Sequence, residues 1–233
     1  MGEKPIRERR RSALVTALKK PTPAMKAYLR RRKAEGRHLR QREDLVWHLL
    51  LQSFATMGNA RGWAGLFETP GLAAQVSFPS LRRWPAPARR LRIEMVLRKA
   101  KVRMPAQKAE WLAANFQSIE KAGGVKAVTR HALSLSTREA KYRFMDEFKG
   151  IGPKYARNVW MDIYDPLFRD AVAIDDRIKS ITTALDYSFK TYDEHEAFYR
   201  QIALDAQLEP WEMDRLLYGF KDHFLAAISR TAA

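Results

Sequence analysis

Apolar residues along this chain recur at helical rather than strand spacing. From Asp44 onward, positions three and four apart are apolar again and again, and strict alternation is scarce. "EDLVWHLLLQS" reads as a strongly apolar helix opened by acids, and "GNARGWAGLFE" starts another after a small polar interruption. "RRLRIEMVLRKAKVRM" and "KAEWLAANFQSIEKAGG" read as two more, the second ended by Gly123 and Gly124. Loops are short and carry Pro or Gly, as at Pro85 and Pro87. The pattern predicts an all-α protein with no internal repeat.

The best-marked stretch follows. Ser136 and Glu139 have capping-box spacing, and Ala140, Phe144 and Phe148 then recur every fourth residue, which predicts a helix over 137–148 with one buried stripe. Gly150 ends it. Pro153 suits the first turn of the next helix, where its missing N–H costs little, and Ala156, Val159, Trp160 and Ile163 take the i, i+3, i+4, i+7 positions. The result is helix, glycine hairpin, helix. In "AVAIDDRIKSI" a short apolar run from Ala171 to Ile174 meets Asp175, after which Ile178, Ile181, Thr182 and Leu185 resume helical spacing. Asp175 is the predicted N-cap.

Composition bounds what such a protein can be. A chain of 233 residues, 46% hydrophobic, buries a core as one large domain or two small ones. No apolar run approaches the roughly 18 residues of a transmembrane helix. The arginine-dense start lacks the apolar stretch and cleavage site of a signal peptide. The expectation is a cytoplasmic or nucleoid-associated protein with no membrane partner. Cysteine is absent, which removes disulfides, thiolate zinc sites and cysteine-ligated iron-sulfur clusters together. His38, His48, His131, His195 and His223 show no pairing at metal-ligand spacing, so any metal chemistry would have to use carboxylates.

Charge narrows the partner. There are 43 Lys and Arg against 26 Asp and Glu, a formal +17, and such a surface attracts polyanions, nucleic acid above all. Residues 1–44 hold fifteen of the cations and five of the anions, an excess of ten. The start through about Arg11 is expected to be mobile, whereas "AMKAYLRRRKAEG" suits a helix.

The hairpin is where charge and geometry meet. Two glycines let its backbone approach a neighbour closely, and the N–H groups at the start of the second helix, with the positive end of the dipole, suit a DNA phosphate. An ordinary turn between helices uses glycine too, so both readings stand. Lys154 falls on the first turn of that helix, where the dipole disfavours a charged amine and partial burial in a crevice would disfavour it further, as a nucleophilic lysine needs. Its plainer role is a phosphate contact. Asp175 lies twenty-one residues on, and a carboxylate returning beside that amine would make an acid/base and nucleophile pair.

"FKGIGPKYARNVW" followed by "AIDDRI" resembles the helix-hairpin-helix DNA glycosylases, the superfamily of endonuclease III and 8-oxoguanine glycosylase. Phe148, Gly150, Ile151, Gly152 and Lys154 match its hairpin pattern, and Ile174, Asp175 and Ile178 match the apolar residue, aspartate and aliphatic residue that follow. The resemblance covers residues 137–186 and extends more weakly to "LLLQSFATMGNARGWAGL" and "LEPWEMDRLLYGF".

It implies a two-lobed fold with a DNA-binding cleft. Residues 1–57 would form a basic segment packing with the C-terminal lobe, 58–160 a helical lobe with the hairpin, and 161–233 the rest of the C-terminal lobe. Lys154 would be the nucleophile and Asp175 the catalytic carboxylate of a base-excision-repair glycosylase with β-elimination lyase activity, acting on duplex DNA with a damaged base. Gly150, Gly152 and Arg177 would contact DNA, Arg177 standing where many relatives have histidine. Gln52, Ser53, Thr56, Met57, Asn59 and Arg61 would lie on the DNA-wedging segment. Asn158, Trp160, Trp211 and Phe220 would be candidates for the base pocket, though each of the three aromatics taken alone suits core packing better. The carbonyls of Asp146, Phe148 and Ile151 would hold a monovalent cation, with no other cofactor required.

The lack of cysteine separates this chain from the cluster-bearing branches and sets it nearer those acting on 8-oxoguanine and alkylated bases. Lys154 favours an oxidised purine such as 8-oxoguanine. An enzyme for alkylated bases and a non-catalytic DNA-binding module are the alternatives, and no protein partner is implied.

Overall fold

The computed structural model describes residues 6–58 and 61–230. Every regular element among them is helical. In chain order these are α1 (Ile6–Lys19), α2 (Pro23–Arg40), α3 (Leu45–Thr56), α4 (Arg61–Trp63), α5 (Phe78–Arg82), α6 (Ala86–Lys99) and α7 (Pro105–Lys121). There follow α8 (Val125–Ser134), α9 (Arg138–Asp146), α10 (Pro153–Asp162), α11 (Asp176–Leu185), α12 (Tyr192–Asp205), α13 (Pro210–Gly219) and α14 (Lys221–Ser229). A π turn, Ala64–Glu68, continues α4.

The chain divides into two compact units. One runs up to His38 and resumes at Trp160; the other is Leu39–Val159. The first division therefore falls at 38/39 and not at 57/58, because α3 is the core of the central unit. That helix is apolar on nearly every face, and Leu45, Val46, Trp47, Leu49, Leu50 and Phe54 are all inaccessible to solvent. An all-round apolar helix must be covered on all sides, and α4, α7 and α8 pack on it. Trp47 fixes the middle: its indole N–H donates to the Val76 carbonyl at 2.8 Å. Its ring meets Phe78 and Phe116 edge-on, and those two rings stack 4.2 Å apart. Burial of each such side chain is worth about 1.5–3 kcal/mol.

In the other unit α1 packs on α14, α12 and α11. Helix α1 begins at Ile6, so the mobility expected up to Arg11 does not hold for residues 6–11. Leu14 and Leu18 are fully buried, and the polar start is tied down by Arg11 to Asp205 and by the Tyr187 hydroxyl donating to Glu8.

Helix α9 departs from its predicted outline. Thr137, not Ser136, is the N-cap, its hydroxyl accepting the Ala140 N–H at 3.1 Å. Glu139 turns outward to Arg143 instead of closing a capping box. The buried positions are Lys141 and Met145, whereas Ala140, Phe144 and Phe148 are only half-buried.

Candidate active site

The hairpin between α9 and α10 is a tight turn built on Gly150. Its φ of +84° is in the left-handed region, and a Cβ there would stand 2.5 Å from the Trp111 ring and 3.0 Å from Phe54. Only glycine satisfies both demands. The turn closes with the Ile151 N–H donating to the Phe148 carbonyl at 3.0 Å. Asn115 of α7 grips the turn from the side: its amide donates to the Lys149 carbonyl at 3.0 Å and accepts the Lys149 N–H at 2.8 Å. Beyond the turn, the Gly152 carbonyl accepts from Tyr155 and Ala156, and α10 starts with Pro153 in its first turn.

Lys154 is the second residue of α10 and is exposed. The crevice burial expected for it is not found in the protein alone. Its amine has no hydrogen bond or ion pair among the described residues.

Asp175 caps α11. Its Oδ1 accepts the N–H groups of Arg177 and Ile178 at 2.9 and 3.0 Å, as an N-cap should. Among the described residues its Oδ2 meets only the Arg177 guanidinium, at 3.4 Å. One oxygen thus holds the helix and the other is available for chemistry. The side chain is 17% exposed. Arg177 in turn lies 3.9 Å from the centre of the Tyr218 ring, a cation–π contact that fixes the guanidinium beside the carboxylate. The predicted helix face is met in full, with Ile178, Ile181, Thr182 and Leu185 buried.

This arrangement of helices has known counterparts. The chain is similar in fold to solved 8-oxoguanine DNA glycosylases. The Thermotoga maritima 8-oxoguanine DNA glycosylase superposes with a TM-score of 0.65 at 18% identity, over 91% of this chain and 97% of that one. The Methanocaldococcus jannaschii 8-oxoguanine DNA glycosylase gives 0.64 at 18% identity, over 91% and 92%. The Methanocaldococcus jannaschii 8-oxoguanine glycosylase/lyase in complex with a 15mer DNA containing 8-oxoguanine gives 0.62 at 18% identity, over 84% and 91%. No protein-family model and no curated protein matches the chain in sequence. What is shared with the three structures is the fold.

The remaining assignments fare unevenly. On the wedge segment Arg61 is exposed, Gln52, Thr56 and Met57 are half-buried, and Asn59 lies outside the described residues. Ser53 is 2% exposed, which keeps its side chain inside. The Thr56 hydroxyl donates back to the carbonyls of Gln52 and Ser53. Of the pocket candidates, Trp160 and Trp211 are core residues: both are buried, and the Trp211 indole N–H donates to the Met161 carbonyl at 2.7 Å. Asn158 and Phe220 are half-buried, Phe220 edge-on to Tyr28. The carbonyls of Asp146, Phe148 and Ile151 lie on or beside the turn, and that of Phe148 keeps one lone pair beyond its bond to Ile151. No cluster of three His, Asp or Glu side chains among the described residues is placed to hold a metal ion. No described helix is long and apolar enough to cross a membrane.

The structure adds residues that sequence reasoning passed over. Lys108 is 1% exposed, and its amine donates to the carbonyls of Phe54 and Met57 at 2.8 and 2.7 Å, closing the end of α3. Burial first, then the charge of Arg103, pushes this amine down to about 8. Gly62 seals the same corner, where a Cβ would stand 2.4 Å from the Ala55 carbonyl. Lys108 and Asn115 lie on the face of α7 that also buries Leu112, Phe116 and Ile119. A polar residue on an apolar stripe was the available signal, and it applies equally to Glu196 and Asp214 on α12 and α13.

Proposed function

We propose that the protein is a base-excision-repair DNA glycosylase with AP lyase activity, acting on duplex DNA that carries an oxidised purine such as 8-oxoguanine. The observation that carries this reading is Lys154: a lysine with no partner among the described residues, on the first turn of a helix that follows a Gly-Ile-Gly hairpin, in a fold similar to that of 8-oxoguanine DNA glycosylases. The net charge of +17 suits a DNA partner, and a cytoplasmic or nucleoid-associated location fits a DNA substrate.

In this reading the hairpin lays its backbone along a phosphate, with Gly150 and Gly152 permitting the approach and the dipole of α10 favouring the anion. The carbonyls of Asp146, Phe148 and Ile151 would hold a monovalent cation against the same phosphate. The Lys154 amine, once deprotonated, attacks the deoxyribose C1′. The bond from C1′ to the base breaks, its electron pair leaves with the base, and the base takes up a proton. Oδ2 of Asp175 receives the amine's proton and hands it to the departing base, so that the carboxylate is again charged and stabilises the positive charge on the sugar. Ring opening gives a Schiff base between Lys154 and C1′; loss of a C2′ proton then expels the 3′ phosphate, and water releases the enzyme. Arg177 adds a phosphate contact beside the carboxylate.

Borohydride trapping on duplexes with different lesions tests this. The expected result is a covalent adduct on the 8-oxoguanine duplex that vanishes in Lys154→Ala. In Asp175→Asn, DNA binding persists while excision falls on the order of a thousandfold. Adducts on alkylated duplexes alone would redirect the substrate. DNA binding with neither base release nor trapping across the panel would make the protein a non-catalytic helix-hairpin-helix module.

A further inference from the structure

The run from Ala171 to Ile174 belongs to no helix or strand, yet its first three residues are 9% exposed or less. Backbone amides in that position must find partners elsewhere. Here the partners are side chains. The Val172 N–H donates to Glu196 Oε1 at 2.9 Å, and the Ala173 N–H donates to Asp214 Oδ1 at 2.9 Å. The Ile174 N–H meets the Tyr192 hydroxyl at 3.3 Å, and that hydroxyl donates to the Val172 carbonyl at 2.9 Å. The Asp175 N–H then closes a three-residue turn onto the Ala173 carbonyl at 2.9 Å. Four successive amides are thus accounted for, three of them by residues of α12 and α13.

Two of these partners are acids with residue exposures of only 8% and 5%. Burying a carboxylate is costly, and burial pushes Asp214 up to about 6 in spite of Arg215 beside it. A neutral acceptor, a hydroxyl or an amide, could have taken these N–H groups at lower cost. An acceptor that costs this much is explained when the register of the chain matters, and the residue that the register delivers is Asp175.

We propose that Asp214, together with Glu196 and Tyr192, is a positioning residue that sets the Asp175 carboxylate through the backbone of residues 172–174. This rests on the catalytic role proposed for Asp175. None of the three touches the reacting atoms; they act by fixing where α11 begins. An aspartate side chain has two rotatable bonds, so its carboxylate can be no better placed than its own backbone.

The test combines single-turnover excision at saturating protein, affinity for a lesion duplex, and thermal melting. Asp214→Ala should slow excision on the order of 10- to 100-fold with duplex affinity held within about twofold, since misplacement by about an ångström costs that much. Asp214→Asn keeps an acceptor oxygen for Ala173 and should restore excision to within about threefold of wild type. Should Asp214→Ala fail to fold, Tyr192→Phe carries the test, because it removes one hydroxyl from a side chain that is partly exposed. Its expected result is excision slowed roughly three- to tenfold at unchanged melting temperature and affinity. An active wild type with unslowed Asp214→Ala or Tyr192→Phe overturns the inference alone. So does a loss that merely tracks melting temperature or affinity. A wild type that excises nothing from the lesion panel overturns the proposed function, and this inference with it.

Discussion

The turn that leads to Lys154 and the run that leads to Asp175 are held by opposite means. The turn has one neutral amide, Asn115, across it and a glycine pressed on the Trp111 ring. The run is held by two buried carboxylates and a phenol. The side chains they deliver differ in the same sense. Lysine carries its amine on a flexible four-carbon stem and can reach a target from an approximate start, whereas aspartate is short and must be placed by its backbone. Polar fastening is concentrated where the delivered group has least reach. In the proposed function the turn presents backbone to a phosphate, and its compact apolar seat adds no negative charge there.

The largest expected effect that would break this comparison is Gly150→Ala. The new Cβ meets a positive φ and the Trp111 ring together, and the loss of stability should be on the order of 3 kcal/mol. Urea denaturation would measure it. Hydrogen exchange would sharpen it: the Lys149 and Ile151 amides should lose protection while those of Val172 and Ala173 keep theirs. A loss below about 1 kcal/mol would mean that the ring yields and the turn is not locked, and the contrast between the two sites would disappear.

The two regions were also unequally readable in sequence. Much that depends on local periodicity was visible, namely the apolar faces of α10 and α11, Pro153 in the first turn of α10, and the Asp175 cap, whereas the stripe predicted for α9 was not the buried one. Both proposed site residues were chosen from local spacing plus a family resemblance over residues 137–186, and similarity in fold to a solved structure covers 91% of the chain. What supports the two residues was not visible, because Asn115 is 34 positions from Lys149 and Asp214 is 41 from Ala173. Such pairs have no sequence period. Where two readings competed, burial decided between them. Trp160 and Trp211 suited a base pocket by their aromatic faces and a core by their helical spacing, and both are buried. Thr137 displaced Ser136 as the cap of α9 because either hydroxyl can accept an N–H at a helix start and only the backbone decides between them. Lys108 and Lys141, both buried, were read simply as charge.

The smallest expected effect separates the units by their response to acid. Each holds a histidine whose burial lowers its affinity for a proton, His48 in the central unit and His195 in the other. His195 has a hydroxyl partner, with Thr182 Oγ1 at 2.7 Å from its Nε2, whereas the ring beside His48 is Phe67 at 5.1 Å. For His48, burial first and then Arg42 push the imidazole down to about 4, against the weaker pull of Asp44. A base depressed in the folded state is protonated first in the unfolded chain, so its contribution is whole above about pH 6.5 and is lost as pH falls toward 4. Between pH 7.5 and 5.5 that amounts to about 1 kcal/mol for His48. Urea midpoints at the two pH values should therefore differ less in His48→Gln than in wild type by that amount, and His195→Gln should flatten the dependence in the same direction. An unchanged pH dependence in His48→Gln would show that its ring is solvated, and acid would then no longer distinguish the apolar surroundings of the central unit from the hydroxyl-lined interior of its neighbour.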